Sequence, residues 1–203
     1  MRRILLLASV LGCLTALVRL SPWTVDAGTA VELDLAGLVE SSDLVLEGRI
    51  AGVTCLETPT GRIETELRME VDRHFWGDES AERIVRVPGG VLPDGRGLIL
   101  PGMPRFRAGE ELILFLSAAG STGVRMPVGL AQGKLSLLTG LNGERVLARE
   151  PAGLTRLAPT TGTHSDADGW ELMGYAETIA ALRAAADQRR VASFEAPFEE
   201  RTR

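Results

Sequence analysis

Ile63-Glu64-Thr65-Glu66-Leu67-Arg68-Met69-Glu70-Val71-Asp72 is the stretch that decides the fold class. Ile63, Thr65, Leu67, Met69 and Val71 alternate with Glu64, Glu66, Arg68, Glu70 and Asp72. A period of two belongs to a β-strand with one face in a core and one in water. The charged face reads as solvated. His74-Phe75-Trp76 ends the strand and Gly77-Asp78 opens a loop. Upstream, Leu44 to Cys55 reads as a partner strand, with Gly48 and Gly52 inside it where bulges or sharp bends are needed. Downstream, Ile84–Val87 and Leu98–Leu100 read as short strands, separated by the Pro93-Asp94-Gly95 turn. Leu112-Ile113-Leu114-Phe115-Leu116 is apolar at every position, as a central strand covered on both faces would be. Val124 to Leu138 predicts one or two further strands, interrupted at Pro127 and Gly133, and Asn142-Gly143 between strand-like flanks predicts a hairpin.

Two helices complete this reading. Leu35, Leu38 and Val39 share a helical face in a short N-terminal element ended by Ser41-Ser42-Asp43. At the other end, Leu172, Tyr175, Ile179, Leu182 and Ala186 form a helical stripe, with Asp168 and Glu171 spaced as a capping box. The fold class is therefore mainly β: an OB-like, partly closed antiparallel barrel with a short N-terminal helix and a C-terminal amphipathic helix. The boundaries that follow are a signal peptide over 1–27, a β-barrel domain over 31–150, a linker or long loop over 151–169, a helix over 170–190 and a disordered tail over 191–203.

The chain has 203 residues, with 22 Lys+Arg against 27 Asp+Glu for a net charge of −5, 2 Cys and 2 His. That balance argues against a general nucleic-acid binder. Met1-Arg2-Arg3 followed by the uncharged run Ile4–Val18 is the pattern of an export signal, too short for an ordinary transmembrane span. Small residues place the cut after Ala27 or Ala30. Cleavage after Ala27 removes Arg2, Arg3, Arg19, Asp26 and Cys13, shifting the charge from −5 to −7 and leaving Cys55 alone. The expected location is secreted or periplasmic, without stable membrane insertion after cleavage. The alternatives are lipidation at Cys13 and a retained anchor through residues 4–18.

Val87-Pro88-Gly89-Gly90, Gly102-Met103-Pro104-Arg105-Phe106, Gly109-Glu110-Glu111, Leu114-Phe115-Leu116 and Gly129-Leu130-Ala131-Gln132-Gly133 together resemble the signature of a poorly characterised family of exported bacterial proteins. The resemblance spans about residues 33 to 140 and implies no particular activity. Ser42-Asp43-Leu44-Val45-Leu46-Glu47-Gly48-Arg49-Ile50, with Glu70-Val71 before Trp76-Gly77, is more distantly similar to netrin-like and metalloproteinase-inhibitor-like OB barrels. Those inhibitors present a free amine to zinc through an N-terminal cysteine pair. This chain has no cysteine near its expected mature start.

Catalytic patterns are missing from the sequence. His74 and His164 are the only histidines, and neither His-Glu-x-x-His, Cys-x-x-Cys nor Gly-x-Ser-x-Gly occurs. His164-Ser165-Asp166 are neighbours in a loop and do not converge as a triad does. Cys55 reads as a buried or edge thiol. The expectation is a non-enzymatic binding module, with no metal and no cofactor, that recognises a protein or peptide outside the cytoplasm. The alternatives are an envelope hydrolase using acidic residues and an accessory protein to an exported protease. The candidate partner-binding residues are Trp76 at a strand end and Met103, Arg105 and Phe106 in the loop after Pro88.

Overall fold

A computed structural model describes residues 29–80, 82–140, 142–150, 155–157 and 170–195. The expected signal peptide, most of the 151–169 segment and residues 196–203 lie outside the described residues. In chain order the elements are β1 (Thr29–Val31), α1 (Leu35–Glu40), β2 (Leu44–Glu57), β3 (Ile63–Trp76), β4 (Glu82–Pro88), β5 (Gly90–Val91), β6 (Gly97–Leu98) and β7 (Glu111–Leu116). A 3-10 turn (Leu130–Gly133), β8 (Lys134–Thr139), β9 (Arg145–Arg149), β10 (Thr155–Leu157), β11 (Glu171–Gly174) and α2 (Tyr175–Glu195) follow.

The main sheet has seven strands in the order β11-β9-β8-β7-β2-β3-β4. Every neighbouring pair is antiparallel. β7 lies at its centre, and Leu112 to Leu116 are buried on both faces, as their unbroken hydrophobicity requires. Ile113 and Phe115 join Val45, Leu135 and Leu147 in a cluster covered by Leu38 and Val39 of α1 and by Ile179, Leu182 and Ala186 of α2. Leu112, Leu114 and Leu116 point the other way, into a second cluster with Leu46, Ile50, Leu67, Met69, Val85 and Val87.

The β2–β3 pair is long and bulged. Its register shifts between Val45 and Leu46, between Glu47 and Gly48, and between Ile50 and Gly52. At Gly48 the strands approach so closely that an added Cβ would lie 2.2 Å from the Glu70 carbonyl oxygen. Asp72 and Phe75 are the unpaired residues on β3, so that Arg73 pairs with Glu47 and Trp76 with Val45. These bulges re-aim the end of β3 toward the helix-covered face.

The structure corrects several expectations. The sheet is not closed into a barrel. β8 occupies the β7 edge at Leu112–Leu114, leaving only the end of β7 for the 117–128 hairpin. Among the described residues that hairpin meets β4 at the bridge Arg86–Val124, with Arg125 N–H donating to Arg86 O at 2.8 Å. The C-terminal helix begins at Tyr175 and runs to Glu195, so Ser193 is helical rather than part of a tail. Glu171, expected as a helix-capping residue, lies in β11, where its ion pair to buried Arg149 at 3.2 Å joins β11 to β9. The strand expected over Leu98–Leu100 contracts to Gly97–Leu98. Glu64, on the supposed solvated face of β3, is buried.

Candidate binding cleft

Pairing between β2 and β7 stops at Arg49, whereas β2 continues against β3 to Glu57. The far ends of β2, β3 and β4 therefore project beyond the central sheet, and a cleft forms there beneath the β5–β6 ribbon. One wall is Val87-Pro88-Gly89-Gly90. Thr65 Oγ1 donates to the Gly89 carbonyl at 2.6 Å, and Gly89 N–H donates to Ile63 O at 2.9 Å. Gly90 has φ +135°, and a Cβ there would lie 2.4 Å from Thr65 Oγ1 and 2.6 Å from Cys55 Sγ. Only glycine fits this position without displacing both side chains.

The ribbon is tied down by charge. Arg96 reaches Glu57 of β2 at 2.7 Å and Asp94 of its own turn at 2.9 Å. The Arg96 guanidinium hydrogen-bonded to Glu57 holds that carboxyl below its ordinary value. The Arg96 backbone N–H, followed by its guanidinium, does the same for Asp94. All three side chains meet solvent, so this is a positional tether and a minor source of stability.

The opposite wall is the loop through Met103, Pro104, Arg105 and Phe106. Met103 and Phe106 pack on the second cluster. Buried Lys134 fixes the loop from beneath. Its Nζ donates to the Arg105 carbonyl at 2.5 Å, pairs with Glu110 at 2.5 Å and lies 5.6 Å from the Phe106 ring centroid. Ser136 Oγ donates to Glu110 Oε1 at 2.8 Å, so the carboxylate that neutralises Lys134 is itself oriented.

The cleft encloses about 600 Å³. Its lining is mostly apolar, and its charged lining side chains are Arg105 and Arg107. Ile99, Val91 and Leu98 beside it are 74%, 54% and 42% exposed, an unusual grouping of large apolar side chains on one small ribbon. Cys55, a free and half-buried thiol, also lines it.

Met103, Arg105 and Phe106 are thus brought together. Trp76 is not with them: it sits eleven positions along β3 from the cleft residue Thr65, packed against the helix-side cluster. Arg189 lies 4.1 Å from the centroid of its ring, and Arg190 lies 5.8 Å away. Arg189 also donates to the Val39 carbonyl at 2.7 Å and to the Ser42 carbonyl, and burial pulls its pKa down. In this setting Trp76 helps dock α2.

Two elements of the site lay beyond the sequence reading. Lys134 opens a strand of otherwise ordinary composition, and its role depends on Glu110, distant in the chain. Of the apolar rim, Leu98 and Ile99 were expected in a plain short strand, and Val91 carried no assignment. The 87–90 and 102–106 segments wall the cleft and Glu110 anchors Lys134. Buried Gln132 accepts from Leu33 N–H at 2.8 Å, which ties the approach to α1 to the 3-10 turn.

A second polar cluster lies on the opposite, helix-covered face. The Tyr175 hydroxyl donates to buried Glu47 at 2.6 Å, and Arg73 approaches the same carboxylate at 3.2 Å. Arg145 stands 4.2 Å from the Tyr175 ring centroid. Burial, then the Glu47 carboxylate, pushes the Tyr175 hydroxyl pKa up. This arrangement locks the start of α2 onto β2.

Among the described residues no group of three or more His, Cys, Asp or Glu side chains could hold a metal ion, and no helix is long and apolar enough to cross a membrane. Comparison with protein-family models, with curated proteins and with solved structures finds no match.

Proposed function

We propose that the chain is an exported, non-catalytic binding module that takes a segment of a protein or peptide into the cleft between the β5–β6 ribbon and the Met103–Phe106 loop. The observation that carries this reading is an apolar cleft of about 600 Å³ with Ile99 74% exposed at its rim. Ligand sites of ~300–1,000 Å³ commonly combine an apolar lining with a few placed polar groups. Both walls are held by buried or tethered contacts, which reduces the ordering cost of binding. The module's export is inferred from the basic start and the uncharged run Ile4–Val18. We also read β7-β2-β3-β4 with the 117–128 hairpin as an OB-like half-barrel, supported by the Arg86–Val124 and Leu116–Pro127 bridges.

The test is selection of a displayed random peptide library on the immobilised full chain, compared with Ile99→Ser/Met103→Ser. Ile99 is largely exposed and Met103 is half-buried at the cleft wall, so a matched circular dichroism melt confirms that the variant is folded. The expected result is enrichment on the wild type that the variant loses. Equal enrichment on both, or none on either, removes the cleft as the binding site.

A further inference from the structure

The charges around the cleft are unbalanced in a chain that is acidic overall. Arg105 and Arg107 are its charged lining residues, and both are exposed. The carboxylates nearby are already engaged: Glu57 and Asp94 with Arg96, and Glu110 with Lys134 and Ser136. Among the described residues neither the Arg105 nor the Arg107 guanidinium has an ion pair or hydrogen bond. Their backbone is nevertheless fixed, at Arg105 by Lys134 Nζ on its carbonyl and at Arg107 by its N–H donating to Glu110 Oε2 at 3.2 Å. Two cations are therefore displayed from a fixed loop beside an apolar hollow, on a chain of net charge −5.

Resting on the peptide-binding reading above, we propose that the cleft selects an acidic peptide segment: an apolar side chain enters over Met103 and Phe106 while neighbouring Asp or Glu carboxylates meet Arg105 and Arg107. Guanidinium groups suit this task because their planar donor fork matches a carboxylate. Opposite charge adds both selectivity and faster encounter, and rejects segments with lysine or arginine beside the apolar anchor.

The same displayed library supplies the test, panned on the full chain and on Arg105→Gln/Arg107→Gln. Both side chains are exposed, so this variant keeps its fold. The wild-type pool is expected to gain Asp and Glu beside an apolar residue, and the variant pool to keep the apolar residue without the acidic bias. The most enriched sequence is then synthesised with its acidic residues intact, changed to Gln or Asn, and changed to Lys. Affinity should fall about threefold to tenfold from acid to amide, the range for two exposed ion pairs, and further for Lys. Raised salt should erase the difference between acid and amide. Enrichment without charge bias, or equal affinity for the three peptides, overturns the acidic selectivity and leaves the peptide-binding reading intact. Failure to enrich any sequence overturns both.

Discussion

Glu47 shows how much one carboxylate can organise. It is 4% exposed on β2, and the Tyr175 hydroxyl bonds to it at 2.6 Å across 128 residues of chain. Tyr175→Phe removes that donor and leaves a buried acceptor less well satisfied. The expected loss is about 1–3 kcal/mol in urea unfolding. An unchanged midpoint would show that Arg73, with Arg145 at 3.7 Å from the same carboxylate, satisfies Glu47 without the phenol. Glycine substitutions give a sharper comparison. Gly90 and Gly95 both have positive φ, but only at Gly90 does an added Cβ meet neighbours, Thr65 and Cys55; at Gly95 nothing lies within 4 Å. Gly90→Ala should therefore destabilise by about 1–3 kcal/mol, clearly more than Gly95→Ala, as read from thermal unfolding of the two variants. Equal losses would mean that backbone strain alone matters and that the ribbon does not press on the sheet.

Among elements, the β5–β6 ribbon depends on its tether. In the folded chain Glu57 and Asp94 both titrate below their ordinary values. Their ion pairs to Arg96 are present above the ordinary carboxylate range and are lost as pH falls through the lowered values. The ribbon should thus loosen only on the acid side, below about pH 4. Titration of the Glu57 and Asp94 carboxyl carbon signals should give midpoints below those of free carboxylates, and Arg96→Ala should return them to the ordinary range. Ordinary midpoints in the unmodified protein would dissolve the tether. Lys134 governs the facing wall. Lys134→Met leaves Glu110 without its cation and frees the Arg105 carbonyl, with an expected cost of about 3 kcal/mol. Peptide affinity should fall as well, even at temperatures where the variant remains folded. Retained affinity in a folded Lys134→Met protein would show that the loop needs no support from below. The elements were legible in the sequence where periodicity was strong: alternation marked β3, the unbroken run marked β7, and Asn142-Gly143 marked the β8–β9 hairpin. Helix spacing also marked the stripe of Ile179, Leu182 and Ala186. Misreadings arose where tertiary pairing decides. Leu172 fits the helical stripe, yet β9 offers an open edge that draws Glu171–Gly174 into a strand.

At the scale of the whole molecule, one sheet serves two purposes. Its helix-covered face holds the fold together, and the projecting ends of β2, β3 and β4 carry the cleft. A barrel was the natural reading of glycine-interrupted strands, because Gly48 and Gly52 do sit at bulges. Sequence could not show that β8 would take the edge of β7 needed for closure. The site was legible in part for a similar reason. Met103, Arg105 and Phe106 lie close together in the chain, whereas Lys134 supports their loop from β8 and Cys55 lines the cleft from β2. Trp76 stood out by residue type, but the bulges at Asp72 and Phe75 direct it toward α2 and away from the other three.

If a peptide binds in the cleft, Cys55 reports it from inside. Alkylation of the full chain by iodoacetamide, followed at the Cys55 peptide by mass spectrometry, measures access to that thiol directly. A saturating library-selected peptide is predicted to slow Cys55 alkylation about tenfold or more, as expected for a thiol open only in the unbound fraction. The Ile99→Ser/Met103→Ser variant should show no such protection. An unchanged Cys55 rate in wild type saturated with a bound peptide would place binding elsewhere on the molecule.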